Sequence, residues 1–390
     1  MSSSLNRLVK YDLNKMSIPL TKYMDLSIVN GDPYGQSNPI PLNFYETRTT
    51  PFLDDPDQYL CAVLRFSIDC LSLPVILCQP QVGQANINLL NYSFTLKWKD
   101  YEYQQFIIFE PQDMSVSLPK APLETADYST GYYFLYSYQW FIQMCNTALQ
   151  SCFNGLKELV LDDDGEAQLP TILPPWMIID PSTLDVVINA DMAGFDESLS
   201  EPISLYMNSS CYSLFNAFQV VNYGNSGITN GKNYRITLKD INSTNILDLT
   251  INNIDYMVIQ SYPENEVVSL WNPVESVVIC SSTLPIEGTY MNPPKVYNSS
   301  TTNYNTGQNL TIPILTDMSV PSGRYRPNIA YSPYFPRLIS MFSHQPQNII
   351  GIEIMWRDSF NNMYPINLNS NSTANLKLGF FHKSMYTEQY

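Results

Sequence analysis

Charge is what this chain has least of. Asp, Glu, Lys and Arg together make up 14% of its 390 residues, against roughly 25% in an ordinary soluble domain. A surface so thinly charged has little defence against association, and the chain is expected to bury much of it against neighbours. The charges present are unbalanced, 36 acidic against 20 basic, for a net −16 and a pI near 4.4. General binding to nucleic acid, which needs basic patches, is thereby disfavoured. One local exception is residues 1–30, where Arg7, Lys10, Lys15 and Lys22 face only Asp12 and Asp25, four cations against two carboxylates, a net +2.

Other absences exclude other classes. No apolar run approaches the roughly 18 residues of a membrane span; LSLPVILC, Leu71 to Cys78, is far too short. The opening MSSSLNRLVKYDLNK is too polar for a secretion signal, so synthesis in the cytoplasm is expected. The 7 cysteines, Cys61, Cys70, Cys78, Cys145, Cys152, Cys211 and Cys280, are odd in number and form no C-x-x-C pair. They read as buried free thiols in a reducing compartment. Without a signal, the N-x-S/T sequons at Asn91, Asn208, Asn242, Asn298, Asn309 and Asn371 read as chance in an Asn- and Ser-rich chain.

Catalytic motifs are equally scarce. There are only two histidines, His344 and His382, and neither lies at metal-ligand spacing from another His or Cys. No H-E-x-x-H, G-x-S-x-G or P-loop is present; GNSG at 224–227 is a loose match in an Asn-rich loop. The segment LDDDGEAQ, 161–168, offers Asp162, Asp163, Asp164 and Glu166, but not at the alternating spacing of a calcium loop. It is expected to be a solvated loop. Asp180, Asp185, Glu353 and Asp358 are the carboxylates best placed for a glycosidase pair. Neither a cofactor nor a metal is expected, and no catalytic residue is assigned.

What is abundant is the strand. Ile350, Ile352, Ile354 and Trp356 alternate, Tyr364 to Leu368 extends, and Leu376, Leu378 and Phe380 alternate again, with turn-type residues between. A closing antiparallel meander is predicted. Asn91 to Trp98 and Tyr103 to Phe109 read as a hairpin, as do Met177–Asp180 and Leu184–Ala190. One helix is clear, its stripe running Tyr138, Phe141, Ile142, Cys145, Ala148, Leu149 and Cys152. Ser129 or Thr130 is expected to cap its start and Gly155 to end it. Cys211 to Phe218 is expected to hold a helical turn or more, with Leu214, Phe215 and Phe218 inward. The fold class is mainly β: a single jelly-roll β-sandwich with long loops or an inserted subdomain and one or two helices. The expected organisation is an arm over 1–40, a jelly roll over 41–390, and an inserted subdomain around 222–262.

The order of several segments carries a resemblance. YSYQWFIQMCNTAL (Tyr136 to Leu149) is followed by WMIIDPSTLDVVI (Trp176 to Ile188), ISLYMNSSCYSLF (Ile203 to Phe215) and SLWNPVESVVICSSTLPI (Ser269 to Ile286). RYRPNIAYSP (Arg324 to Pro333) and IMWRDSFNNMYPINL (Ile354 to Leu368) complete the series. Together, over about 130–385, they resemble the penton, or minor capsid, proteins of virophages and related Polinton-like viruses. The resemblance implies a jelly roll with five copies at each icosahedral vertex, touching trimers of a double-jelly-roll major capsid protein. It implies a place in the virion and no catalytic residues. The rival reading, a carbohydrate-binding or glycoside-hydrolase-like β-sandwich, rests on the 28 Tyr, 17 Phe and 5 Trp and on the carboxylates above.

Overall fold

The computed structural model describes residues 20–386 apart from 32–38, 70–71, 113–115, 129, 164–167, 181, 225–226, 228–229, 242, 293–294, 297–303, 306–309 and 321–327. Two compact units divide them. The first takes the described residues of 1–72, 275–320 and 326–390; the second takes 73–274. In chain order the first unit opens with β1 (Thr21–Val29), β2 (Asn43–Thr47) and β3 (Tyr59–Asp69). The second holds β4 (Leu89–Trp98), β5 (Tyr101–Ile108), α1 (Tyr138–Asp163), β6 (Trp176–Ile179), β7 (Val186–Asp191) and α2 (Met192–Phe195). It continues with β8 (Ser204–Met207), α3 (Ser209–Leu214), β9 (Val220–Asn222), β10 (Tyr234–Ile236), β11 (Ile246–Ile251) and β12 (Ile254–Ser261). The chain then returns to the first unit through β13 (Ser276–Ser281), β14 (Ile314–Ser319), β15 (Asn328–Tyr331), β16 (Ile349–Arg357), β17 (Met363–Pro365) and β18 (Thr373–His382). Shorter strands are named by their residues.

The first unit is a pair of antiparallel sheets, ordered β1-β18-β3-β15 and β14-β13-β16-β17, with β2 also paired to β16. Both bury alternate side chains, as a one-sided sheet must. In β16 these are Ile350, Ile352, Ile354 and Trp356; in β18 they are Ala374, Leu376, Leu378 and Phe380. Thr316 on β14 and Tyr331 on β15 join the two sheets through their hydroxyls at 2.9 Å. Sheet neighbours are remote in sequence, β3 beside β18 and β2 beside β16. Such interleaving is the mark of a jelly-roll sandwich.

Here the structure departs from the predicted meander. β16 and β17 form the expected hairpin, with Trp356 opposite Tyr364. β18 does not pair with β17; it crosses to the other sheet between β1 and β3. Alternation reveals which face of a strand is buried, but not its partner. The crossing is made at a corner around Asn371, whose φ is +60°, a value Asn tolerates better than most residues. The Asn371 N–H donates to the Asn30 carbonyl (2.6 Å), the Asn30 N–H to Ser372 O (3.0 Å) and Asn30 Nδ2 to Leu368 O (2.8 Å).

The arm expected over 1–40 is also corrected within the described residues. Thr21–Val29 pairs along its whole length with β18, burying Met24 and Leu26. Lys22 donates to Phe52 O at 2.8 Å, and Asp25 faces Lys377 at 3.4 Å and Arg65 at 3.8 Å. Arg7, Lys10 and Lys15 lie outside the described residues. The region 222–262, expected to be a subdomain by itself, is part of the larger unit 73–274.

The larger sheets of that second unit are β9-β10-β8-β4-β5 and β11-β12-β7-β6; Ile76–Leu77 pairs separately with Phe134–Leu135. Both predicted hairpins form, β4 with β5 and β6 with β7. α1 buries Phe141, Ile142, Cys145, Leu149, Cys152 and Leu156 in the unit's core. Among the described residues there are three helices, two of them short. α1 runs 26 residues, past the expected stop at Gly155. The glycine is a contact residue, since a Cβ there would come within 2.5 Å of the Tyr103 ring. Thr130 does not cap α1, because strand Phe134–Leu135 intervenes; its hydroxyl accepts from Tyr132 N–H at 3.3 Å. Ser129 is outside the described residues. As expected, Phe215 and Phe218 are buried, beside the short helix α3; Leu214, expected inward with them, is only half-buried against the same core.

Two stability outcomes are expected. Trp356 is fully buried and stacked on Tyr364 at 4.2 Å between centroids. Trp356→Ala should cost about 3–5 kcal/mol in a denaturant titration, and a loss under about 1 kcal/mol would show the ring is not core. Gly155→Ala, a gain in helix propensity on an open surface, should here destabilise by about 1–3 kcal/mol through overpacking against Tyr103. A stabilised variant in the same titration would contradict the contact.

Candidate assembly surface

The carboxylates proposed for catalysis serve turns or stand apart. Asp358 is buried and fully engaged. It accepts from the N–H of Phe360 and of Asn362 at 2.8 Å each, from Asn362 Nδ2 at 2.9 Å and from Tyr364 OH at 3.2 Å. It thereby builds the β16–β17 turn. Asp180 accepts from Ser182 N–H and Oγ at 2.8 and 2.6 Å, and these bonds hold its carboxyl below the usual value. Asp185 closes the same turn, its carbonyl accepting from Asp180 N–H at 2.9 Å. Glu353 stands on β16 opposite Cys280. His344 is an exposed partner of Asp55 at 3.0 Å, and this bond lowers the Asp55 pKa. His382 ends β18 with its ring edge-on to Tyr59, 5.2 Å between centroids.

Among the described residues no group of three His, Cys, Asp or Glu could hold a metal. Asp162 and Asp163 belong to the end of α1 rather than to a loop, and Tyr101 OH donates to Asp163 at 2.6 Å. Asp164 and Glu166 lie outside the described residues. Of the sequon residues, Asn208 is fully buried, and its side chain caps α3 by accepting from Cys211 N–H at 2.9 Å.

The conspicuous feature lies on the edge of the first unit. β15 covers β3 from Asp69 to Phe66, and strand Ile339–Ser340 covers it at Cys61 and Leu60. Eight positions separate Tyr331 from Ile339, but only five separate their partners Phe66 and Cys61. The excess chain, SPYFPRL, bulges off the sheet. Pro333 and Pro336 flank the bulge and cannot donate to the ladder. Between them Tyr334 and Phe335 are 91% and 84% exposed, with rings edge-to-face at 4.7 Å. Just beyond stands exposed Phe342, its ring 5.8 Å from Lys383 Nζ. The turn holding Lys383 also exposes Met385 and Tyr386. Two adjacent aromatics presented almost whole to solvent carry a large hydrophobic penalty, and such patches mark contacts with other molecules. Sequence reasoning missed this loop, although the prolines around Tyr334–Phe335 were its visible signal.

Residues 22–383 match the family model described as Sputnik minor capsid protein V18/19. The chain belongs to that family. It is a structural capsid protein. Among its relatives is the uncharacterized protein V18 of Sputnik virophage, 35% identical over 122 residues, which are 30% of this chain and 73% of V18. The structural protein V19 of the same virophage is 26% identical over 210 residues, 53% of this chain and 93% of V19. A chain in the cryo-EM structure of Sputnik virophage superposes with a TM-score of 0.75 at 25% identity, covering 94% of this chain and 99% of that one. The crystal structure of mavirus penton protein superposes with a TM-score of 0.56 at 15% identity, covering 93% and 99%. The last likeness is one of fold. The family match reaches well beyond the 130–385 of the resemblance and takes in β1.

The described cysteines of this chain behave as core residues. Cys61, Cys78, Cys145, Cys152, Cys211 and Cys280 are buried and free; Cys70 is outside the described residues. Burial pushes the thiols of Cys61, Cys152 and Cys280 up from 9.0 to about 12, and the Tyr133 phenol from 10.0 to about 12. The fold holds the neutral forms, so it keeps protons that the unfolded chain releases. Stability linked to these groups is whole below about pH 9 and falls as pH rises through about 12. Unfolding midpoints measured from pH 8 to 11.5 should drop with pH, and a flat or rising profile would refute this. Thiol counting under denaturing, non-reducing conditions should find seven.

Proposed function

We propose that this chain is the penton protein of an icosahedral virophage-type capsid, five copies closing each fivefold vertex and meeting trimers of a double-jelly-roll major capsid protein. The observation that carries the reading is the family match over residues 22–383, joined to a fold shared with mavirus penton protein. On this reading the first unit is the jelly roll that sits in the shell, and 73–274 is the insertion it carries. The chain is made in the host cytoplasm, resides in the virion and performs no catalysis. A protomer that repeats one heterologous contact through a closing rotation makes a ring. That contact needs on the order of 1,000 Å² or more to be specific. Low charge and the exposed Tyr334–Phe335 loop suit such a contact. The carbohydrate-binding or hydrolytic sandwich gains nothing from Asp358, whose two oxygens are engaged in its own turn, and Asp180 bonds through Oδ1 within its turn.

The test is a reconstruction of the virion with density assigned to this chain. Five copies at each fivefold vertex are expected, and absence from the vertices would overturn the reading. A double variant, Tyr334→Ser with Phe335→Ser, should fold with a midpoint within about 0.5 kcal/mol of the parent, since exposed positions matter little to the fold. It should enter virions at least tenfold less. Normal incorporation would remove this loop from the assembly surface.

A further inference from the structure

The exposed rings of Tyr334 and Phe335 need a receiving surface, and the register of the first unit points to one. The edge of β3 is uncovered between Phe66, opposite Tyr331, and Cys61, opposite Ile339. The aromatic loop leaves the sheet across that gap. Two rows of residues run from the gap through β18 to the far edge. In one, Ala62 lies beside Gly379 and Gly379 beside Tyr23; in the other, Arg65 lies beside Lys377 and Lys377 beside Asp25. Tyr23 and Asp25 stand on β1, whose other side pairs with no strand among the described residues. The loop and these two residues thus sit at one level on opposite edges of one sheet.

The far edge carries an apolar patch. Met24 and Leu26 turn to the core, so Tyr23 and Asp25 turn away from it. The Tyr23 ring is 58% exposed and meets the half-buried Phe381 edge-on, 6.3 Å between centroids. A Cβ at Gly379 would fall 2.8 Å from Phe381 Cε2 and 2.9 Å from Leu64 Cδ1, so both side chains fold down over the glycine. The rim is cationic. Lys377 Nζ is 5.4 Å from the Tyr23 ring centroid. Lys377 and Arg65 share one carboxylate, Asp25, at 3.4 and 3.8 Å, two cations against one anion on a chain of net −16. Copies of an acidic chain approach most easily where each is locally not acidic. The loop residues 332–338 likewise hold no carboxylate, their one charge being Arg337.

A ring made by one repeated heterologous contact needs two different surfaces on every protomer. Opposite edges of a sheet, at one level, meet that need; a contact with a different protein would need the loop alone. We propose that the Tyr334–Phe335 loop docks on the Tyr23–Phe381–Leu64 patch of a second copy of this chain. Its rings lie against the apolar patch, and Lys377 and Arg65 reach toward their faces. The inference rests on the vertex reading and adds to it which two surfaces meet.

Cysteine cross-linking in purified virions tests it. The six described native cysteines are buried, and the parent chain gives the background. Tyr23→Cys combined with Phe335→Cys, treated with a short bismaleimide, should give a ladder of linked copies that ends at five on a denaturing gel. Neither single variant should give links, because the contact joins unlike surfaces. Links in a single variant, or none in a double variant that enters virions, would overturn the proposal. If the double variant stays out of virions, incorporation of serine variants decides. Tyr23→Ser and Phe335→Ser should each lower incorporation at least tenfold at unchanged melting temperature, and the two together no further, since one contact is lost in every case. Parental incorporation of either, or losses that multiply, would overturn the proposal; multiplied losses would turn the loop toward a different capsid protein. The vertex reading fails separately. Links running past five copies would leave this contact standing and overturn the vertex, whereas five copies in the reconstruction without links would leave the vertex standing and overturn this contact.

Discussion

The first unit depends on one pairing, that of β18 with β3. β18 is the last long strand, β3 an early one, and they match from Ala374 opposite Ile68 to His382 opposite Tyr59. β1 adds to the free side of β18, so the first and last long strands among the described residues share one sheet. Between these partners in sequence lies the whole of 73–274. Closing so long a loop is entropically costly, though the cost grows only slowly with length. The corner at Asn371 serves the pairing. By tying itself and Ser372 to Asn30, it fixes the register in which β18 enters, and a slip of one residue would turn Leu376, Leu378 and Phe380 to solvent.

The second unit follows a different logic. Its organiser is α1, a single helix whose stripe supplies Phe141, Cys145, Leu149 and Cys152 to one core. Phe141 lies within 5.2 Å of Trp271 and 6.5 Å of Phe215, centroid to centroid. The helix thus draws together residues far downstream. Gly155 shows how close the approach is: α1 reaches β5 only because no side chain stands between it and Tyr103. Asn146 does the equivalent for the edge strand β6. It accepts from Met177 N–H at 2.7 Å and donates to Met177 O at 2.9 Å, as a neighbouring strand would. A free edge is thereby covered by a side chain.

Much of this was legible in the sequence, and the limits are physical. Period-two alternation named the buried faces of β16 and β18, and period 3.6 named α1, because burial on one face writes itself into the local pattern. Partner choice leaves no such local trace, so the step from β17 to β18 was read as a hairpin when it is a crossing. β1 reads as an arm because Asp25 and Ser27 stand on its outer face and charged Lys22 precedes Met24 and Leu26 on the inner one, so the apolar stripe is short. Gly155 was read by the commonest role of glycine at helix ends, whereas its reason is a ring from another strand. The carboxylates were named by type alone; that Asp358 spends all its lone pairs on one turn is a fact of geometry. The scarcity of catalytic motifs, by contrast, was visible at once, since motifs are spacings.

The Tyr334–Phe335 loop shows how a capsid protomer can expose apolar surface without inviting disorderly pairing. An edge strand is a template for any other chain. Here the edge of β3 is covered at both ends and broken in the middle, where Tyr331 and Ile339 leave it. The opposite flank of β3 shifts register at that level, between Lys377 and Leu378, which adds twist. Backbone pairing with a neighbour is discouraged at this point by the prolines and the twist. What is left to recognise is side-chain shape: two rings, crossed at 87°, on a stiff Pro-bounded loop. Recognition by shape tolerates only a partner with a matching pocket, and stiffness lowers the entropy lost on docking. A protomer of net −16 repels like-charged copies at long range, so a contact between them must be made by short-range fit of this kind.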